Sequence, residues 1–171
     1  QPEIQKVAYE IAQKSIVLLK DEAANLPVSS DVKKIAVIAQ NAVLSTAAGG
    51  IGAGVKTLYE ITPLEGIRER AGEDIEVTYA PGYRSYKMSW GKPGPLGPLD
   101  AASPSDPADP ELLAEAVALA KDADMVIFFG GTNKSIETES SDRQNIDLPC
   151  GQNDLIKALY EANSNVVTVI I

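Results

Sequence analysis

The chain has 171 residues, 44% of them hydrophobic but only 5% aromatic, and a net charge of −9. That is apolar mass enough for one domain with a core of Ala, Val, Ile and Leu. The acid surplus argues against nucleic acid or an anionic membrane as a partner, and no run approaches the ~18 apolar residues of a membrane span.

Helical spacing comes first: Pro2–Lys20 places Ile4, Val7, Ala8, Ile11, Ala12, Ile16 and Leu19 three and four apart. Four strand-like runs come after it: Lys34–Ala39, Ile75–Tyr79, Met125–Phe129 and Val166–Ile171. Three are nearly continuous in Val, Ile and Phe, as in strands buried on both faces of a parallel sheet; Ile75–Tyr79 alternates and suits an edge or half-exposed position. Thr62-Pro63-Leu64-Glu65 opens a second helix with a capping residue, Pro in the first turn and Glu three residues after the cap. That helix runs to about Arg70 and stops before Gly72. A third begins after Asp109-Pro110-Glu111, and the fourth is Gln152–Ala162. Strand–helix alternation of this kind predicts an α/β fold, a mainly parallel, doubly wound sheet with helices on both faces. Leu18, Val37, Ile38, Val126, Ile127 and Leu155 are the predicted core. The final strand reaches Ile171 with nothing to cover its far side, so a truncated domain is expected, with marginal stability or self-association through that edge and a homo-oligomer as one outcome.

With no histidine and one cysteine, Cys150, the chain has no internal disulfide framework, no His/Cys zinc site and no Ser-His-Asp or Cys-His nucleophile. No metal or cofactor is predicted, and carboxylates remain as the acid/base groups. The N-terminal QPEIQKVAYE shows no basic stretch followed by an apolar one, hence no signal peptide in this segment. Localisation stays unassigned, with an extracellular or periplasmic parent compatible.

Two long connections break the alternation: the Gly/Ala/Ser-rich 40–57 and the Pro/Gly-rich 81–110. The run Gly49-Gly50-Ile51-Gly52-Ala53-Gly54 is no dinucleotide fingerprint. It lacks the G-x-G-x-x-G spacing, starts about ten residues after the strand, and opens no helix. The segment after the third strand, Gly130-Gly131-Thr132-Asn133-Lys134-Ser135-Ile136-Glu137-Thr138-Glu139-Ser140-Ser141-Asp142-Arg143, packs four charged groups into seven residues at the sheet's carboxyl edge. On composition alone it is a solvated acidic loop, with Asp142 and Arg143 as a local ion pair.

Together with the helical stretch behind it, that segment reads GTNKSIETESSDRQNIDLPCGQNDLIKAL and resembles the acid/base loop and next helix of glycoside hydrolase family 3. The pattern there is a Gly-rich strand end, I-E-x-E, Asp-Arg, then L-P-G-x-Q-x-x-L-I. In the same order, Ser15–Glu22 is similar to S-I-V-L-L-K-N-E, Asn25–Val28 with KKIAVIAQNA resembles L-L-P-L…K-I-A-V-I-G-P-N-A, and the glycine run with Thr62–Ile67 matches G-G-G-S…T-P-L-E-G-I. The resemblance covers about Val7 to Ile171. It departs at Ala39-Gln40, where the pattern has Gly-Pro, at Ile51 and Ala53, at Ser140-Ser141, and at Cys150, where it has Gly. These departures bear on loop geometry and subfamily.

The resemblance implies a retaining β-glycosidase of two domains, an N-terminal (β/α)8 barrel bearing an aspartate nucleophile and an α/β sandwich bearing the acid/base glutamate. The chain, residues 1–171, would be the first part of the sandwich. It would act, within a longer parent, on a β-linked oligosaccharide or aryl glycoside such as a glucoside or xyloside, and would be inactive alone. Glu137, after Ile136 in the I-E-x-E arrangement, is the first candidate for the acid/base, with Glu139 the second. Asp142 and Arg143 would brace the loop. Asn133 and Lys134 are candidates for sugar hydroxyls, and Trp90 for stacking on a sugar ring, although packing beneath the long loop is the simpler account of Trp90. Two rivals remain: a non-catalytic carbohydrate-binding or scaffolding domain of the same fold, and a flavodoxin-like nucleotide binder.

Overall fold

The computed structural model describes residues 2–45, 57–85, 107–133, 136 and 145–171. Along the chain run α1 (Pro2–Ser15), β1 (Lys34–Ile38), a 3-10 turn (Gln40–Val43), α2 (Pro63–Ala71), β2 (Glu76–Ala80), α3 (Pro110–Asp122), β3 (Met125–Gly130), α4 (Gln152–Ala162) and β4 (Val166–Ile170). The strands form one parallel sheet in the order β2-β1-β3-β4. Register places Ile35 beside Val77 and Met125, and Phe128 beside Ile38 and Thr168. The alternating run Ile75–Tyr79 supplies the edge strand β2, as its pattern predicts.

Because successive side chains point to opposite faces, each apolar strand feeds two cores. Ala36, Ile38, Ala80, Val126, Phe128 and Val166 meet Ala116 and Ala120 of α3 and Leu155 and Leu159 of α4. Ile35, Val37 and Met125 meet Leu64 of α2 on the other face, with the half-buried Ile127, Tyr79 and Val77 packed against them. Helices therefore cover both faces, as the alternation of elements predicts.

The helix starts follow the capping residues. Thr62 accepts from Glu65 N–H at 3.3 Å while Glu65 Oε2 accepts from Thr62 N–H at 2.8 Å, a complete capping box ahead of α2. Asp109 Oδ1 accepts from the backbone N–H groups of Glu111 and Leu112 at 3.0 and 3.3 Å, satisfying two donors at the start of α3. At the far end, Asn163 Nδ2 donates to the carbonyls of Ala120 and Ala123 at 2.8 and 2.7 Å, so the close of α4 satisfies the close of α3.

Two predictions fail. The continuous apolar run of β4 suits a strand buried on both faces, but only Val166 is buried there. The first helix stops at Ser15 rather than Lys20 and buries none of its residues, and Leu18, assigned to the core, is 64% exposed. Among the described residues the two core clusters are built from the sheet with α2, α3 and α4, and α1 contributes to neither. A hydrogen bond from Gln5 Nε2 to Tyr59 Oη at 3.0 Å links the helix to the loop before α2. No helix of the described residues is long and apolar enough to cross a membrane.

Candidate functional site

In this sheet the chain passes from β1 to β2 on one side, then crosses back past β1 to β3 and β4 on the other. The crevice outside the carboxyl ends of β1 and β3 is the switch point, where open α/β sheets bind ligands. Two short segments face each other there: Ala39-Gln40-Asn41 after β1 and Gly131-Thr132-Asn133 after β3.

The first segment turns sharply. Ala39 is fully buried at φ 99° and ψ 148°, a conformation that favours glycine, and its N–H reaches Ala80 O at 3.0 Å. The turn buries the next two side chains. Gln40 Oε1 accepts from Ser85 N–H at 2.9 Å, joining the ends of β1 and β2. Asn41 crosses the other way, donating from Nδ2 to Thr132 O at 3.2 Å and accepting from Asn133 Nδ2 at 3.4 Å.

The second segment is held just as fully. Gln152, wholly buried in the first turn of α4, accepts from Gly131 N–H at 2.8 Å and donates to Gly131 O at 2.9 Å. The backbone of Ile171 donates to Gly130 O at 3.0 Å and accepts from Thr132 N–H at 3.3 Å. A side chain at Gly130 would collide with the Phe128 ring and Gln152 Oε1, and one at Gly131, where φ is 110°, would overlap the Ile171 carbonyl. The paired glycines are therefore what lets the glutamine and β4 close on this strand end. Beyond it, Ile136 N–H bonds Asn133 O at 2.9 Å and the Ile136 side chain is buried in the core with Phe128 and Leu155.

Of the predicted site residues, Asn133 lies in the crevice, half-buried and turned toward Asn41. Glu137, Glu139, Lys134, Asp142, Arg143 and Trp90 lie outside the described residues. Sequence reasoning missed Gln40, Asn41 and Gln152. All three stand in stretches that carry the family resemblance, but no local pattern marks them as functional. Two of the departures from the family pattern, Ala39 and Cys150, occupy positive-φ backbone, at 99° and 60°. The backbone there keeps a glycine-like shape although the side chains have changed.

The chemistry of the described part is that of fixed amides, which donate and accept hydrogen bonds but do not transfer protons near neutrality. Burial raises the Tyr83 phenol well above its ordinary range, and burial with the nearby charge of Glu115 pushes Tyr79 to about 12, so neither is an acid or base at neutral pH. Beside the core, a cavity of about 610 Å³ is lined by Arg84, Pro107, Ala108, Asp109, Glu111 and Cys150. Arg84 Nε pairs with Asp109 Oδ2 at 2.9 Å. Hydrogen bonds from Leu112 and Glu111 N–H, together with Arg84, hold the Asp109 carboxyl below its usual range.

Comparison with known proteins places this arrangement. The model of the glycosyl hydrolase family 3 C-terminal domain matches residues 16–171. The β-glucosidase BoGH3A of Bacteroides ovatus is 36% identical over 97% of the chain and 22% of its own length. The exo-1,4-β-xylosidase xlnD of Emericella nidulans is 34% identical over 95% of the chain and 17% of its length. The crystal structure of a Bifidobacterium adolescentis family 3 β-glucosidase superposes with a TM-score of 0.73 at 32% identity, covering 97% of this chain and 21% of that one. The chain thus spans about a fifth of the length of these relatives. With the family model matched over residues 16–171 and relatives above 30% identical along nearly the whole chain, the chain belongs to glycosyl hydrolase family 3, matching that family's C-terminal domain.

Proposed function

We propose that this chain supplies the general acid/base of a retaining β-glycosidase, from Glu137 in first place and Glu139 in second. The parent enzyme would remove terminal β-linked glucose or xylose from oligosaccharides. An aspartate on a preceding barrel domain would attack the anomeric carbon while the protonated glutamate gives its proton to the leaving oxygen. The same group, then ionised, would take a proton from the water that releases the sugar. Such a pair needs its carboxyl groups roughly 5–5.5 Å apart, so the glutamate's backbone must be held firmly against the barrel.

The observation that carries this reading is the anchoring at both Gly131–Asn133 and Ile136, at the switch-point edge of the sheet and directly before the two glutamates in sequence. A scaffold or binding module would have no need of an acidic segment rooted so firmly there. Asp142 and Arg143 would brace the segment, and Asn133, Lys134 and Trp90 would meet the sugar.

The test is azide rescue in the full-length enzyme. Glu137→Ala is expected to retain attack on an activated aryl glycoside, to turn over slowly, and to form a β-glycosyl azide when azide is added. If Glu139→Ala gives that product and Glu137→Ala does not, the role passes to Glu139. If neither does, the acid/base lies outside this segment.

A further inference from the structure

From Gly130, the last residue of β3, to Asn133 beyond it the regular ladder gives out, so the backbone groups there need other partners or water. Two of these connections come from Ile171, and three come from two side-chain amides on different elements. Gln152 of α4 saturates Gly131 on both sides, and its orientation is unambiguous because an N–H must face Oε1 and a carbonyl must face Nε2. Asn41, from the turn after β1, takes the next carbonyl, that of Thr132, and receives the Asn133 side chain. Gln152 is wholly buried and Asn41 is 4% exposed, so water does not readily replace either amide. The two approach from different elements and bracket three consecutive residues, with Ile136 anchored three positions further on.

We infer that Asn41 and Gln152 are positioning residues for catalysis, a pair of buried amides that together fix the root of the acid/base segment. This rests on the reading that the segment carries the acid/base. Neither residue touches the reacting atoms. Each acts through the backbone of Gly131–Asn133, and the fixed root limits how far the following carboxyl strays from the glycosidic oxygen. A general acid must lie within hydrogen-bond reach of the oxygen it protonates, and a displacement of about 1 Å costs on the order of 10²-fold in rate.

A misplaced acid has a signature that a merely weakened fold lacks. Proton donation matters most when the departing group is a poor one, so its loss falls unevenly across substrates. The experiment takes the full-length enzyme with Gln152→Glu and Asn41→Asp, which keep size and the accepting oxygen but lose the donor to Gly131 O or Thr132 O. Gln152→Leu and Asn41→Leu accompany them. For each, kcat/KM is measured on phenyl and 2,4-dinitrophenyl β-glycosides, normalised to active sites counted by covalent trapping of the nucleophile. The expected result is a loss of about 10²-fold on the phenyl glycoside and under about 10-fold on the dinitrophenyl glycoside. Equal losses on both substrates in the folded near-isosteric variants, or no loss, would overturn the inference. Glu137→Ala and Glu139→Ala run beside them. If one of these shows the uneven loss and the amide variants do not, only the positioning role falls. If neither does, the acid/base reading falls and takes this inference with it.

Discussion

Helices α1 and α4 are amphipathic by the same rule and end in opposite circumstances. In α4, Leu155 and Leu159 lie one turn apart and are fully buried against the sheet and α3. In α1, Ile4, Val7 and Ile11 form an equally regular stripe and remain 54–64% exposed, followed by the exposed run Ile16-Val17-Leu18-Leu19. The family's C-terminal domain model begins at residue 16, so α1 precedes the domain whose core α4 completes. Period shows that a helix has a face to bury, but the surface that receives it is set by the rest of the fold.

The comparison breaks or holds first on truncation of buried leucine. In the 171-residue chain, Leu155→Ala should destabilise by about 2–5 kcal/mol, since the fully buried side chain fills the space beside Gly82 and Ile38. Ile11→Ala should change stability by no more than about 0.5 kcal/mol. Denaturant midpoints at unchanged slope check both. A large cost at Ile11 would mean that α1 is packed after all.

A smaller effect sharpens the contrast at a helix end. Asp109→Ala should cost about 1 kcal/mol through loss of the α3 cap. Asp109→Asn keeps a cap acceptor but loses the charge, and with it the Arg84 pair and the charge assistance of the bonds from Leu112 and Glu111 N–H, a cost below that of Asp109→Ala. The carboxyl's pKa is lowered in the folded state from the ordinary 3.8, so its charge-linked contribution is complete above that value. It is lost as pH falls through the folded-state pKa. The stability gap between the native chain and Asp109→Asn should therefore be constant near neutrality and narrow below about pH 4, which unfolding curves across that range would show.

Opposite in sign is Ala39→Gly. It relieves a residue held at φ 99° but adds backbone entropy to the unfolded chain, for a net gain of about 0.5–1 kcal/mol. A thermal midpoint unchanged or lowered would show that the buried methyl group outweighs the conformational relief.

Much of the fold was legible because strands and caps are local. The edge character of β2 followed from its alternation, and α2 and α3 start at the capping residues Thr62 and Asp109. The candidate site was legible only as a segment. Its chemistry lay in Glu137 and Glu139, marked by resemblance to a family pattern, while Asn41 and Gln152 gave no functional sign. They stand 91 and 21 residues from the backbone they hold, and no local pattern records such a pairing. Leu18 went wrong for the same reason in reverse, since its local pattern was that of a core residue.

Periodicity and capping chemistry thus marked the four strands and the starts of α2 and α3, because each depends on neighbours a few residues apart, while the family was legible through resemblance of its motifs. Tertiary structure decided which apolar faces are covered, that Ala39 and Cys150 adopt glycine-like backbone, and which amides meet at the crevice between β1 and β3. Those outcomes depend on the distance between segments far apart in the chain, which becomes defined only when the sheet assembles.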